Sequence, residues 1–174
     1  MKKKIRSNHS LPEMLCEYIL PVIVLIVLFR FIIFTGIVNS YSMYPNIKPN
    51  SLCFTNRMAY VVRTPQRGEI ILFSSDETEE KYICKRIIGL PGDEISFKNG
   101  YVYLNGIICE ETYLDGSVES NCTSEFIVPD NMYFVLGDNR ENSLDSRYFA
   151  NPYIKKSNII GKVFGVIDLS KQHE

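Results

Sequence analysis

Asn39-Ser40-Tyr41-Ser42-Met43-Tyr44-Pro45 is where this chain of 174 residues changes character. Before it lies the only long apolar run; after it come short apolar or alternating segments separated by polar, Gly and Pro turns. The stretch therefore divides an apolar helix from a body of β-strands. It also contains the best candidate nucleophile, Ser42, stiffened on its C-terminal side by Pro45.

Working outward toward the N-terminus, residues 15–38 are almost wholly apolar, interrupted by Glu17, Pro21, Arg30 and Gly36. A bilayer-spanning helix of about 20 residues fits inside this run. Arg30 is tolerable if residues 15–29 cross most of the hydrocarbon and the guanidinium snorkels to the far interface. Residues 31–38 then lie at or just beyond the outer surface. Lys2, Lys3, Lys4 and Arg6 stand unopposed in the first ten residues, which predicts the N-terminus inside and the body outside. Two other readings compete. A cleavable secretory signal would use the small residue in Val38-Asn39-Ser40, but the run is long for a signal and contains Arg30. A buried core helix suits neither the β-branched residues nor the asymmetric flanking charge.

Toward the C-terminus no long amphipathic helix competes with strands such as Glu69-Ile70-Ile71-Leu72-Phe73, Tyr82-Ile83-Cys84 and Tyr133-Phe134-Val135-Leu136. The sharpest local signal is Glu94-Ile95-Ser96-Phe97-Lys98-Asn99-Gly100-Tyr101-Val102-Tyr103-Leu104-Asn105-Gly106. Its two Asn-Gly pairs each predict a tight hairpin turn and hence a meander of three short strands. Residues 115–124 read as an exposed acidic loop, 125–128 as a resumed strand and 159–168 as the final strand. The fold class expected is mainly β. An N-terminal transmembrane helix precedes a coiled, mostly antiparallel sheet body that carries a small inserted β-ribbon region. Residues 1–14 form a cytoplasmic basic segment, 15–38 the anchor and exit segment, 39–168 the extracytoplasmic catalytic domain with its ribbon at about 94–130, and 169–174 a polar tail.

Composition narrows the function. The body after the junction is acidic overall, which gives no reason to expect nucleic acid. Five cysteines, Cys16, Cys53, Cys84, Cys109 and Cys122, show no C-x-x-C spacing, so neither a metal nor another cofactor is expected. Cys109 and Cys122 flank an acidic, Ser-rich stretch and either pair in an oxidising compartment or stay as free thiols. The two histidines, His9 and His173, sit near opposite ends of the chain and are poorly placed to activate Ser42. A Ser-His-Asp arrangement is thereby disfavoured, and a lysine held neutral by burial is the remaining nitrogen base.

Lys85 is that candidate. It lies in Lys85-Arg86-Ile87-Ile88-Gly89-Leu90-Pro91-Gly92-Asp93, between Ile83 and Ile87, where an apolar environment would disfavour the ammonium. A solvated strand lysine beside Arg86 is the plainer reading of the same residues. Gly137-Asp138-Asn139-Arg140-Glu141-Asn142-Ser143-Leu144-Asp145-Ser146-Arg147 is dense in polar groups directly after an apolar strand. A surface loop explains that density. So does a scaffold in which Asp145 pairs with Arg147 and Ser143 orients the lysine amine.

In this order the segments closely resemble type I signal peptidases, membrane-anchored Ser/Lys proteases that remove signal peptides from exported proteins. Ser42-Met43-Tyr44-Pro45 resembles the nucleophile box, Arg67-Gly68-Glu69-Ile70-Ile71-Leu72-Phe73 the next strand, 85–93 the general-base box and 137–147 the last. Asn46 and Glu69 depart from the residues common at their positions, threonine and aspartate. One apparent span and a short segment between the third and fourth boxes resemble the compact, Gram-positive-like bacterial form. The resemblance implies an acyl-enzyme mechanism with Ser42 as nucleophile and Lys85 as general base. It also implies an oxyanion site of the Ser42 N–H and the Ser40 hydroxyl, with Ser143, Asp138, Asp145 and Arg147 orienting the site. Met43, Ile83 and Cys84 are the expected walls of shallow pockets for small side chains at the positions one and three before the cut. Implied partners are the signal-peptide region of exported preproteins, the lipid bilayer and the nearby translocation machinery, at the cytoplasmic membrane. Rival readings are another Ser/Lys protease, such as a pilin-processing peptidase, and an inactive membrane-tethered β module.

Overall fold

The computed structural model of the chain describes residues 15–77, 79–114 and 118–170. The expected basic N-terminal segment, residues 115–117 of the acidic loop and the end of the polar tail from residue 171 lie outside them. The chain divides into two compact units, Met1–Ile33 and Phe34–Glu174.

In the first unit a short π-helical turn, Leu15–Ile19, leads into helix α1, Leu20–Ile32. Pro21 stands in the first turn of α1, where its missing N–H costs no helical bond. Together the 18 residues Leu15–Ile32 are long and apolar enough, by length and composition, to cross a membrane, and none of the hydrophobic side chains described there is buried. At about 1.5 Å per residue such a helix spans close to the thickness of a bilayer's hydrocarbon.

The second unit is built from strands β1 (Ile33–Val38, whose first residue closes the first unit), β2 (Ser51–Asn56), β3 (Ile70–Ser74), β4 (Tyr82–Gly89), β5 (Glu94–Lys98), β6 (Tyr101–Leu104), β7 (Ile107–Ile108), β8 (Phe126–Ile127), β9 (Met132–Leu136), β10 (Ile154–Lys155) and β11 (Ile159–Asp168). The segment after the helix, read from sequence as an exit from the membrane, is thus strand β1. Nothing but Gly36 punctuates the apolar run there, and β-branched Ile33, Thr35, Ile37 and Val38 suit an extended chain.

Seven strands form one sheet in the order β1-β2-β11-β3-β4-β9-β10, antiparallel from β2 to β10. Irregular registers interrupt β11 against both of its neighbours and β4 against β9, and such bulges bend a sheet. The bend is visible in the core. Cys53 of β2 and Cys84 of β4 lie three strand spacings apart in sheet order, about 14 Å on a flat sheet, yet they share one buried cluster with Met43, Ile47, Leu72 and Val163. The sheet is therefore coiled. Strand β4 runs through its middle and is buried from Ile83 to Gly89, packing Ile83 and Ile87 into a second cluster with Ile71, Phe73, Tyr133 and Val135.

The remaining strands form a second, four-stranded antiparallel sheet, β7-β6-β5-β8. Both Asn-Gly pairs make the turns read from sequence, with φ of 52° and 82° at Asn99 and Gly100 and 52° and 79° at Asn105 and Gly106. The sheet is inserted between β4 and β9, which are hydrogen-bonded neighbours in the larger sheet.

Candidate active site

The turn after β1 holds Ser42 by backbone bonds and by burial of its neighbours. Tyr44 N–H donates to the Tyr41 carbonyl (3.1 Å) and Ile47 N–H to the Met43 carbonyl (2.8 Å), while Met43 and Ile47 are sunk in the core. The loop after β9 clips this turn: Asn139 N–H donates to the Ser42 carbonyl (3.0 Å) and Asn139 Nδ2 to the Tyr41 carbonyl (3.2 Å). Gly137 permits the approach. A Cβ there would stand 2.2 Å from Ser143 Oγ and 2.4 Å from the Ser42 carbonyl oxygen.

Lys85 projects from β4 and is only 2% exposed. Its Nζ donates to Ser143 Oγ at 3.0 Å. Burial drives its pKa from the ordinary 10.5 down to about 8; the charge of Asp145 opposes the shift and that of Arg147 assists it. The depressed pKa brings the neutral amine toward physiological pH, and its share grows as pH rises. Ser40, Ser42, Ile83, Lys85, Asn142 and Leu144 line one cavity of about 280 Å³, so the candidate nucleophile and base face the same space. Among the described residues Ser42 Oγ is hydrogen-bonded to Ser40 Oγ (3.1 Å) rather than to Lys85. Catalytic hydrogen bonds commonly tighten only when substrate is present.

The polar loop is a lattice of ion pairs. Asp145 is wholly buried, accepts two bonds from the Arg147 guanidinium (2.8 and 2.9 Å) and accepts the Gly137 N–H (3.0 Å). Arg147 also donates to the Arg140 carbonyl at 2.7 Å. Asp138 points elsewhere: both of its oxygens take the Arg86 guanidinium (2.8 and 2.6 Å), and Asn46 Nδ2 adds a further bond at 2.9 Å. Arg86 stacks on the Tyr113 ring at 3.9 Å, and the wholly buried Arg140 side chain pairs with Glu111 and Ser120. The sequence reading gave no role to Arg86, Asn46, Arg140, Tyr113 or Glu111. Arg86 and Arg140 lie in polar motifs that could have flagged them, whereas nothing near Tyr113 or Glu111 marks either.

The expected pocket walls separate. Ile83 lines the Ser42–Lys85 cavity, and Cys84 lines an adjoining one of about 300 Å³ with Val38, Cys53, Thr55 and Leu72. Ser40 and Glu80 border both cavities. Met43 is corrected: at 0% exposure it is core, held by Ile47 and the two cysteines rather than on either wall. Cys109 and Cys122 are both free thiols.

The family described as "Signal peptidase, peptidase S26" matches residues 13–167. A relative from Synechocystis named probable signal peptidase I-2 is 38% identical over 130 residues, which is 72% of this chain and 58% of that protein. Signal peptidase I of Bacillus caldolyticus is 37% identical over 77% of this chain and 79% of its own, and signal peptidase I S of Bacillus subtilis 32% over 88% of each. The crystal structure of a signal peptidase I from Enterococcus faecalis aligns with 59% of this chain and 98% of its own, at a TM-score of 0.48 and 34% identity.

Proposed function

The chain belongs to the signal peptidase family, peptidase S26, as a bacterial type I member of a serine endopeptidase family, and from that premise we propose that it removes N-terminal signal peptides from exported preproteins with a Ser42–Lys85 dyad. The observation that carries the reading is the shared cavity: a seryl hydroxyl and a buried lysine whose amine is partly neutral near physiological pH face one space.

In this mechanism neutral Lys85 takes the Ser42 hydroxyl proton as Oγ attacks the scissile carbonyl carbon. The Ser42 N–H and the Ser40 hydroxyl hold the oxyanion, for which Ser40 must turn from its resting bond to Ser42. The lysine ammonium then protonates the leaving amine, which departs as the new N-terminus of the mature protein. Lys85, neutral again, deprotonates a water that attacks the Ser42 ester; its ammonium returns the proton to Ser42 Oγ as the ester bond breaks, and the signal peptide leaves as an acid that ionises to its carboxylate. Ser143 aims the amine, and the Asp145–Arg147 pair fixes the loop that carries Ser143. An extended signal peptide would lie along the two cavities, placing small side chains in them. Helix α1 with the turn before it would anchor the protein in the cytoplasmic membrane, N-terminus inside, with the body beside the translocation machinery. Anchoring raises the effective concentration of enzyme at emerging signal peptides.

The test is cleavage of a model preprotein with small residues at the positions one and three before the cut, in detergent. The wild type should cleave, and folded Ser42→Ala and Lys85→Ala should not; retained cleavage by either variant defeats the dyad. Topology is read separately. A protease added outside intact cells should digest the body, and its protection would reverse the orientation.

A further inference from the structure

Two cysteines stand in the wall of the larger cavity. Cys53 of β2 and Cys84 of β4 are both buried, both line it and belong to one buried cluster. They are brought together by the coil of the sheet rather than by sequence, since β11 and β3 lie between their strands in sheet order. The remaining cysteines, Cys16, Cys109 and Cys122, line neither this cavity nor the one that holds Lys85. Cys84 is also the residue before Lys85 on β4, so a covalent change at its sulfur acts on the strand that positions the base.

We propose that Cys53 and Cys84 are a modification site at which a low-molecular-weight disulfide forms an intramolecular Cys53–Cys84 bond, reversibly lowering the peptidase activity. The effect on activity rests on reading this cavity as part of the peptide-binding cleft; the thiol chemistry does not. Attack begins at Cys53, whose thiol the neighbouring Cys84 holds below its ordinary pKa against the effect of burial. The Cys53 thiolate displaces one thiolate from the reagent and forms a mixed disulfide. Cys84 then loses its proton and attacks the Cys53 sulfur, expelling the second thiolate. Two protein thiols are oxidised by two electrons and one reagent disulfide is reduced to two thiols. A bonded sulfur pair is about 2 Å apart, nearer than two unbonded thiols, so closure draws β2 toward β4 and narrows the cavity between them.

The experiment uses the full chain in detergent and 2-hydroxyethyl disulfide, a reagent small enough for the cavity. A variant with Cys16→Ser, Cys109→Ser and Cys122→Ser leaves only the two thiols in question. After treatment its intact mass should fall by two hydrogens, with Cys53 and Cys84 in one cross-linked peptide that dithiothreitol separates. Cleavage should drop by roughly tenfold to a hundredfold, as small displacements of a catalytic frame do, and return on reduction. The wild type, mapped without reduction, should give the same cross-link, which covers poor folding of the triple variant. In the same background, Cys53→Ser should keep its own untreated rate after exposure to the reagent. Both thiols remaining alkylatable, or a stable reagent adduct without the cross-link, overturns the proposal; so does a cross-link that leaves cleavage unchanged. If the reduced wild type cleaves no substrate, the peptidase reading fails, and the effect on activity with it, while the mass map still reports whether the bond forms.

Discussion

The two sheets of the second unit divide the work. The larger sheet takes its strands from distant parts of the chain, and its strands and flanking loops carry the candidate nucleophile, base and Ser143 loop. The smaller sheet joins strands in nearly sequential order and supplies none of those groups. Its contribution is support: Tyr113 and Glu111, on the segment between β7 and β8, lie against Arg86 and Arg140 of the larger sheet and its loop. The candidate base sits on a buried strand paired with strands from distant parts of the chain, and the segment that follows the local meander braces it from outside.

Substitutions test that division of work. The largest effect is expected at the base itself: Lys85→Met, which keeps the volume and removes the amine, should lower kcat/KM by roughly 10⁴-fold or more while the variant folds. Ser40→Ala should cost about 10²- to 10³-fold in kcat, the usual loss for one oxyanion donor, with substrate binding little changed. The pH profile comes next. Cleavage should rise about tenfold per pH unit below the Lys85 pKa of about 8 and level off above it. The same group shapes stability. The folded chain releases this proton near pH 8 and the unfolded chain near 10.5, so the unfolded state holds more protons across that window. The wild type should therefore gain stability between pH 8 and 10.5 relative to Lys85→Met, as read by denaturant melts at several pH values. The smallest effect on chemistry is expected in the brace. Glu111→Gln leaves the buried Arg140 guanidinium without its carboxylate and should cost roughly 3 kcal/mol of stability, yet change cleavage per folded molecule only a few-fold. A Glu111→Gln variant that folds normally but is as inactive as Lys85→Met would erase the distinction between the two sheets.

How much of this was legible in the sequence follows from how far each signal reaches. The apolar helix, the two Asn-Gly turns and the bounds of β11 are written in neighbouring residues, and they stand where the periodicity and turn chemistry placed them. Ser42 and Lys85 stand out as candidates because a serine at the start of Ser-Met-Tyr-Pro, and a lysine with isoleucines close on either side, are local patterns. Strand β1 was missed because helix and strand share one unbroken apolar run, and only pairing with β2 separates them. The partners of Asp138 were out of reach for the same reason. Arg86 lies 52 positions away and Asn46 lies 92, so neither bond leaves a trace near Asp138 in the chain. Met43 was misjudged as a wall because its adjacency to Ser42 does not reveal the direction in which the turn buries it.

The insertion of the small sheet has a consequence for how this body can vary. Its two ends leave and re-enter at β4 and β9, strands already joined by hydrogen bonds, so the excursion begins and finishes at nearly one place. Doubling the length of such an excursion adds only about 0.6 kcal/mol of closure entropy. Chain can therefore be spliced in or trimmed there without re-threading the sheet that holds the lysine. The limit is set by charge rather than length: a version cut to a bare turn would strip Arg140 of Glu111 and Arg86 of its aromatic cover, and would have to replace both.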